Sequence, residues 1–194
     1  MNKTIEYYNN KADSYVADTM NLDMGDIRSR FLSYLPANAK ILDAGCGSGR
    51  DTIAFLREGY DVNAIDASQA MCEIASKNTG IDVKCISFEE LTGESVYDGI
   101  WACASLLHVK RSDLEKVLNN LHDLLKPNGV LYASFKYGDN ERIKEDRYFN
   151  DMTEQLAMQY FSKAFKVLET FVNNDHRSDR SGENWINIIA KKQS

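Results

Sequence analysis

The chain has 194 residues, 43% of them hydrophobic, and sets 29 acidic against 23 basic side chains for a formal net charge of −6. That length fits one domain with a proper core, so a single domain is expected over 1–194, made of an N-terminal helical cover (1–37) and a core (38–194). The acidic balance offers no general attraction to a phosphate backbone, which argues against a nucleic-acid partner, although a local basic patch can operate on an acidic protein.

No apolar stretch approaches the roughly 20 residues needed to cross a bilayer. The segment Met1-Asn2-Lys3-Thr4-Ile5-Glu6-Tyr7-Tyr8 lacks the apolar run of a secretion signal, so a cytoplasmic protein without membrane attachment is expected, as monomer or homodimer. Cys46, Cys72, Cys85 and Cys103 stand singly with no C-x-x-C pair, which points to small buried residues rather than a metal site.

In chain order, two helices come first, one carrying Tyr8, Ala12, Tyr15 and Val16, the other Ile27, Phe31 and Leu35 on one side. Strands are predicted near 40–44, 61–66, 82–86, 97–103, 129–136, 166–173 and 185–192. Gly59 stops a helix after Ile53, Phe55 and Leu56, and Ser68 caps one containing Met71, Ile74 and Ala75. Ser112-Asp113-Leu114-Glu115 reads as a capping box ahead of Leu114, Val117, Leu118, Leu121 and Leu125, and Lys126-Pro127-Asn128-Gly129 as the turn that follows.

Residues 136–150 are charged and aperiodic and fit either a substrate-covering loop or, the favoured reading, a solvated connection. The last two strands have no helix-length segment between them, so an antiparallel hairpin at one edge is expected. The alternation implies an α/β, Rossmann-like sheet of seven strands, mostly parallel, with helices on both faces. Ligands of such sheets bind beyond the carboxyl ends of the strands, where the N-terminal cover would act as a lid.

The most informative stretch is Asp43-Ala44-Gly45-Cys46-Gly47-Ser48-Gly49-Arg50, with Asp66 closing the next apolar run. Its glycines let the chain turn sharply out of a strand and press against a ligand. Arg50 occupies the place where a hydride-transfer fingerprint needs a small residue, and no G-K-[ST] follows to make a P-loop. The pattern, with Tyr97-Asp98-Gly99-Ile100-Trp101-Ala102-Cys103-Ala104-Ser105 and Leu125-Lys126-Pro127-Asn128-Gly129-Val130-Leu131, resembles the class I S-adenosylmethionine-dependent methyltransferases over roughly residues 38–136.

The resemblance implies S-adenosylmethionine as cofactor and a metal-independent reaction, with the final strand inserted antiparallel. It implies that Asp43 meets the methionine ammonium, that Asp66 accepts the ribose hydroxyls, and that Ser87 and Phe88 face adenine, with Ser87 where the family usually has Asp. Ala44, Gly45, Cys46, Gly47, Gly49, Arg50, Ala67, Met71, Ala102 and Ala104 complete the expected cofactor site.

For the acceptor, groups above strands four to seven come into view: Trp101, Ser105, His108, Lys136 and the loop Asp175-His176-Arg177-Ser178-Asp179-Arg180. His108 is a candidate base or anion donor because histidine titrates near neutrality, or else only satisfies local backbone. His176, Arg177 and Arg180 suit an anion, since guanidinium presents a rigid fork to oxyanions, or else form a solvated loop paired with Asp175 and Asp179. The run from Trp101 to His108, the Ser134-Phe135-Lys136 strand end and the final His-Arg loop also resemble the tellurite-resistance methyltransferases and their small-molecule relatives, which implies an oxyanion or chalcogen acceptor at His176 and Arg177.

The expected activity is methyl transfer to a small polar or anionic acceptor. An RNA-modifying methyltransferase and a non-catalytic cofactor-binding subunit are the alternatives.

Overall fold

The computed structural model describes residues 2–177, 180 and 182–193; Ser178 and Asp179 of the expected anion loop lie outside the described residues. Seven strands form one sheet in the order β3-β2-β1-β4-β5-β9-β8: β1 (Lys40–Ala44), β2 (Asp61–Asp66), β3 (Lys84–Cys85), β4 (Tyr97–Ala102), β5 (Leu125–Lys136), β8 (Phe165–Asn174) and β9 (Asn184–Lys192). Neighbours from β3 through β5 run parallel, and β9 lies antiparallel between β5 and β8, as the hairpin reading expected. The order reverses at β1 and β4, which places a crevice beyond their carboxyl ends.

Alternate residues of the central strands face opposite sides. Ile100, Leu131 and Ile188 pack against Leu114, Val117, Leu118 and Leu121 of α5 (Arg111–Leu124), with Phe161 of α6 (Glu154–Phe161) in the same cluster. On the other side Trp101 stacks on Tyr132 with ring centroids 3.9 Å apart, beside Phe31 of α2 (Gly25–Leu32) and Phe55 of α3 (Arg50–Arg57). Ser68 caps α4 (Gln69–Thr79) as expected, its side chain accepting from the Met71 amide.

Three local expectations fail. Helix α5 begins one residue before Ser112, with Lys110 at the N-cap and no side-chain cap. The Arg111 amide donates instead to the Tyr148 hydroxyl at 3.1 Å, so a long-range acceptor displaces the local box. The helix also runs straight into β5, whose Leu125 pairs with Tyr97, so the strand begins four residues earlier than predicted.

The third failure concerns the solvated connection, which folds into the hairpin β6 (Glu141–Lys144) and β7 (Arg147–Asn150). Its charges are paired: Arg142 meets Asp151 at 2.6 Å, Arg147 meets Glu145 at 2.6 Å, Lys144 meets Glu183, and Arg111 of α5 donates to Asn150, Asp139 and Asp151. Thr153 then caps α6, a helix the sequence reading missed.

The hairpin anchors α1 (Lys3–Thr19). The Tyr148 amide donates to Thr4 Oγ1, and on the other side Ser68 Oγ and the Ala70 amide both donate to Asn9 Oδ1. Helix α1 thus spans from β7 to α4 across the crevice. Among the described residues no helix is long and apolar enough to cross a membrane.

Candidate active site

The crevice is a cleft of about 210 Å³ beyond the ends of β1, β2, β4 and β5, bordered by α1 and the β8–β9 loop. At its floor Asp43 is buried, with Thr52 Oγ1 donating to Oδ2 at 2.6 Å. Burial and the charge of Asp51 push the Asp43 carboxyl up to about 7, against the Thr52 bond.

The chain then turns back on itself at Gly45, where φ is +82° and a Cβ would stand 2.3 Å from the Ser105 Cβ. Only glycine satisfies both the angle and the space. The Gly45 and Cys46 amides donate to Ile65 O, and Ser105 Oγ donates to Ala44 O at 2.7 Å. Asp66 completes the loop: Oδ2 accepts from the Gly47 amide and Oδ1 from the Ser68 amide, both at 2.9 Å. Burial still leaves its carboxyl above the usual carboxylate range despite these donors.

Gly45, Cys46, Gly47, Arg50, Ala67, Met71, Ser87, Phe88 and Ala104 line the cleft with Asp43 and Asp66. Three expected cofactor residues do not. Ala44 and Ala102 are fully buried in the core cluster, because strand parity turns them away. Gly49 is the N-cap of α3 at φ +81°, where a Cβ would meet Thr79 at 2.6 Å, so its role is helix packing. Ser87 lines the cleft but its amide and hydroxyl both bond Glu90, while Glu89, which the sequence reading passed over, faces the cleft beside it.

Arg50 grips its neighbour Asp51 through Nε and Nη2, and Asp51 also accepts from Arg28 at 2.8 Å and from the Trp101 indole at 3.0 Å. Burial pushes the Asp51 carboxyl up, but Arg50 and Arg28 more than offset it. Trp101, a candidate for acceptor contact, is instead fully buried.

His108 borders the cleft with both ring nitrogens engaged. Nδ1 lies 2.6 Å from the Tyr148 carbonyl, which can only accept, so Nδ1 carries the proton and Nε2 accepts from the Tyr8 hydroxyl at 2.8 Å. Burial, with the charge of Arg147, lowers the imidazole to about 4. A neutral ring with its lone pair taken anchors α1 better than it collects a proton.

At the far end His176 and Arg177 line the cleft and Arg180 does not. Arg177 donates to Asp175 from its amide, Nε and Nη2, and Lys136 and Trp185 Nε1 donate to the same carboxylate. Burial opposes ionisation of Asp175, yet these donors hold it well below the usual range. Lys136, also paired with Glu183, is buried behind this cluster rather than facing the cleft. Tyr15, Tyr132, Asn173, Trp185 and Asn187 reach the cleft too, and only strand register and the path of α1 bring them there.

Residues 41–129 match the family model described as a methyltransferase domain. An uncharacterised methyltransferase of Staphylococcus carnosus is 25% identical over 206 aligned residues, covering 96% of this chain and 99% of that one. Over residues 41–129 the chain carries a methyltransferase domain, and it is similar to S-adenosylmethionine-dependent methyltransferases. In fold the methyltransferase is similar to the Burkholderia thailandensis 1,6-didemethyltoxoflavin-N1-methyltransferase, solved with 1,6-didemethyltoxoflavin and S-adenosylhomocysteine (TM-score 0.80, 23% identity, 98% of this chain and 85% of that one). It is also similar to the N-methyltransferase NodS of Bradyrhizobium japonicum, solved with S-adenosylhomocysteine (TM-score 0.72, 15% identity, 100% of both chains).

Its cofactor, S-adenosylmethionine, suits the donor set. Asp66 spends one hydrogen bond per oxygen on backbone amides, so each oxygen keeps a lone pair for a diol. Asp43 Oδ1 makes no hydrogen bond among the described residues, and it belongs to a carboxylate at the end of β1 that lines the cleft.

Proposed function

We propose that this methyltransferase acts on a small polar molecule enclosed beneath α1. The observation that supports this most is the continuity of the cleft from the glycine loop to the β8–β9 loop under a helix pinned at both sides, by Tyr148 and His108 on one and Ser68 on the other. The bound cofactor supplies a methyl group already activated on a sulfonium. In this reading Asp66 holds the ribose, Asp43 the ammonium, and Phe88 and Met71 pack against the adenosyl end. Tyr8 and Tyr15 close the cleft above, excluding water.

Positioning of this kind contributes about 7–11 kcal/mol to such a displacement, whereas a general base contributes typically about 10²–10⁴-fold. Alignment is therefore the larger effect, and the engaged nitrogens of His108 fit a site that works without a dedicated base. The Burkholderia neighbour carries a small ring compound in its structure, which agrees with an acceptor of that size. The narrower likeness to tellurite-resistance enzymes would place an oxyanion at His176 and Arg177; the hold of Asp175 on Arg177 speaks against it.

The test is to incubate the purified protein with methyl-labelled S-adenosylmethionine and fractionated small-molecule and RNA extracts. Label appearing in a small molecule is expected. Label confined to RNA overturns the acceptor assignment.

A further inference from the structure

The end of the cleft away from the glycine loop has aromatic and apolar walls from Tyr15, Leu22, Met24, Ile27, Tyr132 and Trp185. Among the described residues two guanidinium groups also border it, Arg177 and, from the start of α3 where the glycine loop ends, Arg50, and both are already committed. Arg50 gives Nε and Nη2 to Asp51 and Nη1 to the Thr19 carbonyl. Arg177 gives Nε and Nη2 to Asp175, whose side chain is only 3% exposed and which also accepts from Lys136 and Trp185.

From this geometry, and resting on the reading of the cleft as a methyl-transfer site, we infer that the acceptor is an uncharged, ring-bearing molecule and that Asp175 is the residue setting this specificity.

An anion entering this end meets guanidinium groups whose forks face carboxylates. To gain a partner it must break the Arg177–Asp175 pair and leave Asp175 buried with fewer donors, which costs more than a surface ion pair returns. A cation fares no better, because Arg28 and Arg50 share the single charge of Asp51 and leave that cluster formally positive. An uncharged ring loses little on leaving water and gains apolar and aromatic contact.

Among the described residues the Tyr15 hydroxyl is placed to orient it. The Tyr15 hydroxyl makes no hydrogen bond among the described residues, and Tyr15 lies within 3.7 Å of where a Gly47 Cβ would stand, at the junction of the two ends. Burial pushes that phenol up, so it stays protonated and available as a donor. Asn187 and Asn173 bond each other, and Tyr132 bonds Asn187, which holds the wall rigid rather than adding charge.

The experiment uses the full chain saturated with S-adenosylhomocysteine and titrates in lumazine, quinazoline-2,4-dione and 4-quinolinone, each beside its ring-carboxylate congener, by calorimetry. At least one neutral ring is expected to bind, with its carboxylate congener weaker by about tenfold or more. Asp175→Asn is expected to narrow or reverse that gap, because Arg177 then loses the carboxylate it faces while Lys136 keeps Glu183. Tyr15→Phe is expected to weaken the neutral ring by about three- to tenfold without changing the preference between the two, a result that does not depend on Asp175→Asn folding.

A carboxylate congener binding as tightly as its neutral parent overturns the inference, and so does the absence of binding by every neutral ring. Failure of S-adenosylhomocysteine itself to bind is a separate result, and it overturns the methyl-transfer reading instead.

Discussion

Around the glycine loop, most of the groups that meet in space lie between Asp43 and Ser68, with Ser105 added from beyond β4, and most of their contacts are made by backbone: the Gly45 and Cys46 amides on Ile65, and the Gly47 and Ser68 amides on Asp66. The opposite end draws Tyr15, Tyr132, Asp175 and Asn187 from α1, β5, the β8–β9 loop and β9, and holds the last three by side-chain bonds. A site built from local backbone tolerates few substitutions but can serve any acceptor. One built from distant side chains can be respecified without disturbing the first.

The largest expected effect breaks the backbone-built end. Gly45→Ala forces a positive φ on a residue with a Cβ and drives that atom into Ser105, so stability should fall by about 2–4 kcal/mol, read by urea unfolding, with loss of S-adenosylhomocysteine binding. A stable Gly45→Ala variant with intact binding would erase the contrast.

The next prediction tests the opposite prop. His108→Ala removes the partner of the Tyr8 hydroxyl and the donor to Tyr148 O, and should cost about 1–3 kcal/mol while increasing hydrogen exchange in α1. Methyl transfer should fall through loss of the closed cover, with a pH profile unchanged in shape. A lost limb in that profile would restore a proton-transfer role to His108.

A pH effect sharpens the comparison further. Asp43 titrates at about 7, so it is protonated below that pH and ionised above it. Affinity for the ammonium-bearing cofactor should therefore rise as pH crosses about 7, by up to about tenfold, and Asp43→Asn should flatten the curve. Stability of the unliganded protein runs the other way. Its folded state keeps a proton that the unfolded chain releases near pH 4, so stability falls between about 4 and about 7. Calorimetry and thermal melts across that range check both signs.

The smallest expected effect is that of Tyr8→Phe. One hydrogen bond is lost and a buried imidazole nitrogen is left unpaired, for about 1 kcal/mol in the melt.

How much was legible in the sequence follows the same division. The loop from Asp43 to Arg50, Asp66 and the Ser68 cap were readable because local spacing alone determines them. Ala44, Ala102 and Gly49 were misplaced because a motif marks a neighbourhood, while strand parity and helix packing decide which side chains face the ligand. Arg142 and Arg147 looked solvated because their carboxylate partners cannot be told from free ones in sequence, so β6 and β7 were missed. The Ser112 box was a valid local signal outcompeted by Tyr148, and of the two readings the sequence leaves open for Arg177, an anion or a pair with Asp175, the loop geometry realises the pair.

The most direct measurement titrates S-adenosylhomocysteine into the wild-type protein and into Asp66→Ala by calorimetry. Saturable binding to the first, weakened by about a hundredfold or more in the second, is expected if one carboxylate both closes the glycine loop and grips the ribose. Equal affinities, or no heat from the wild type, would contradict it.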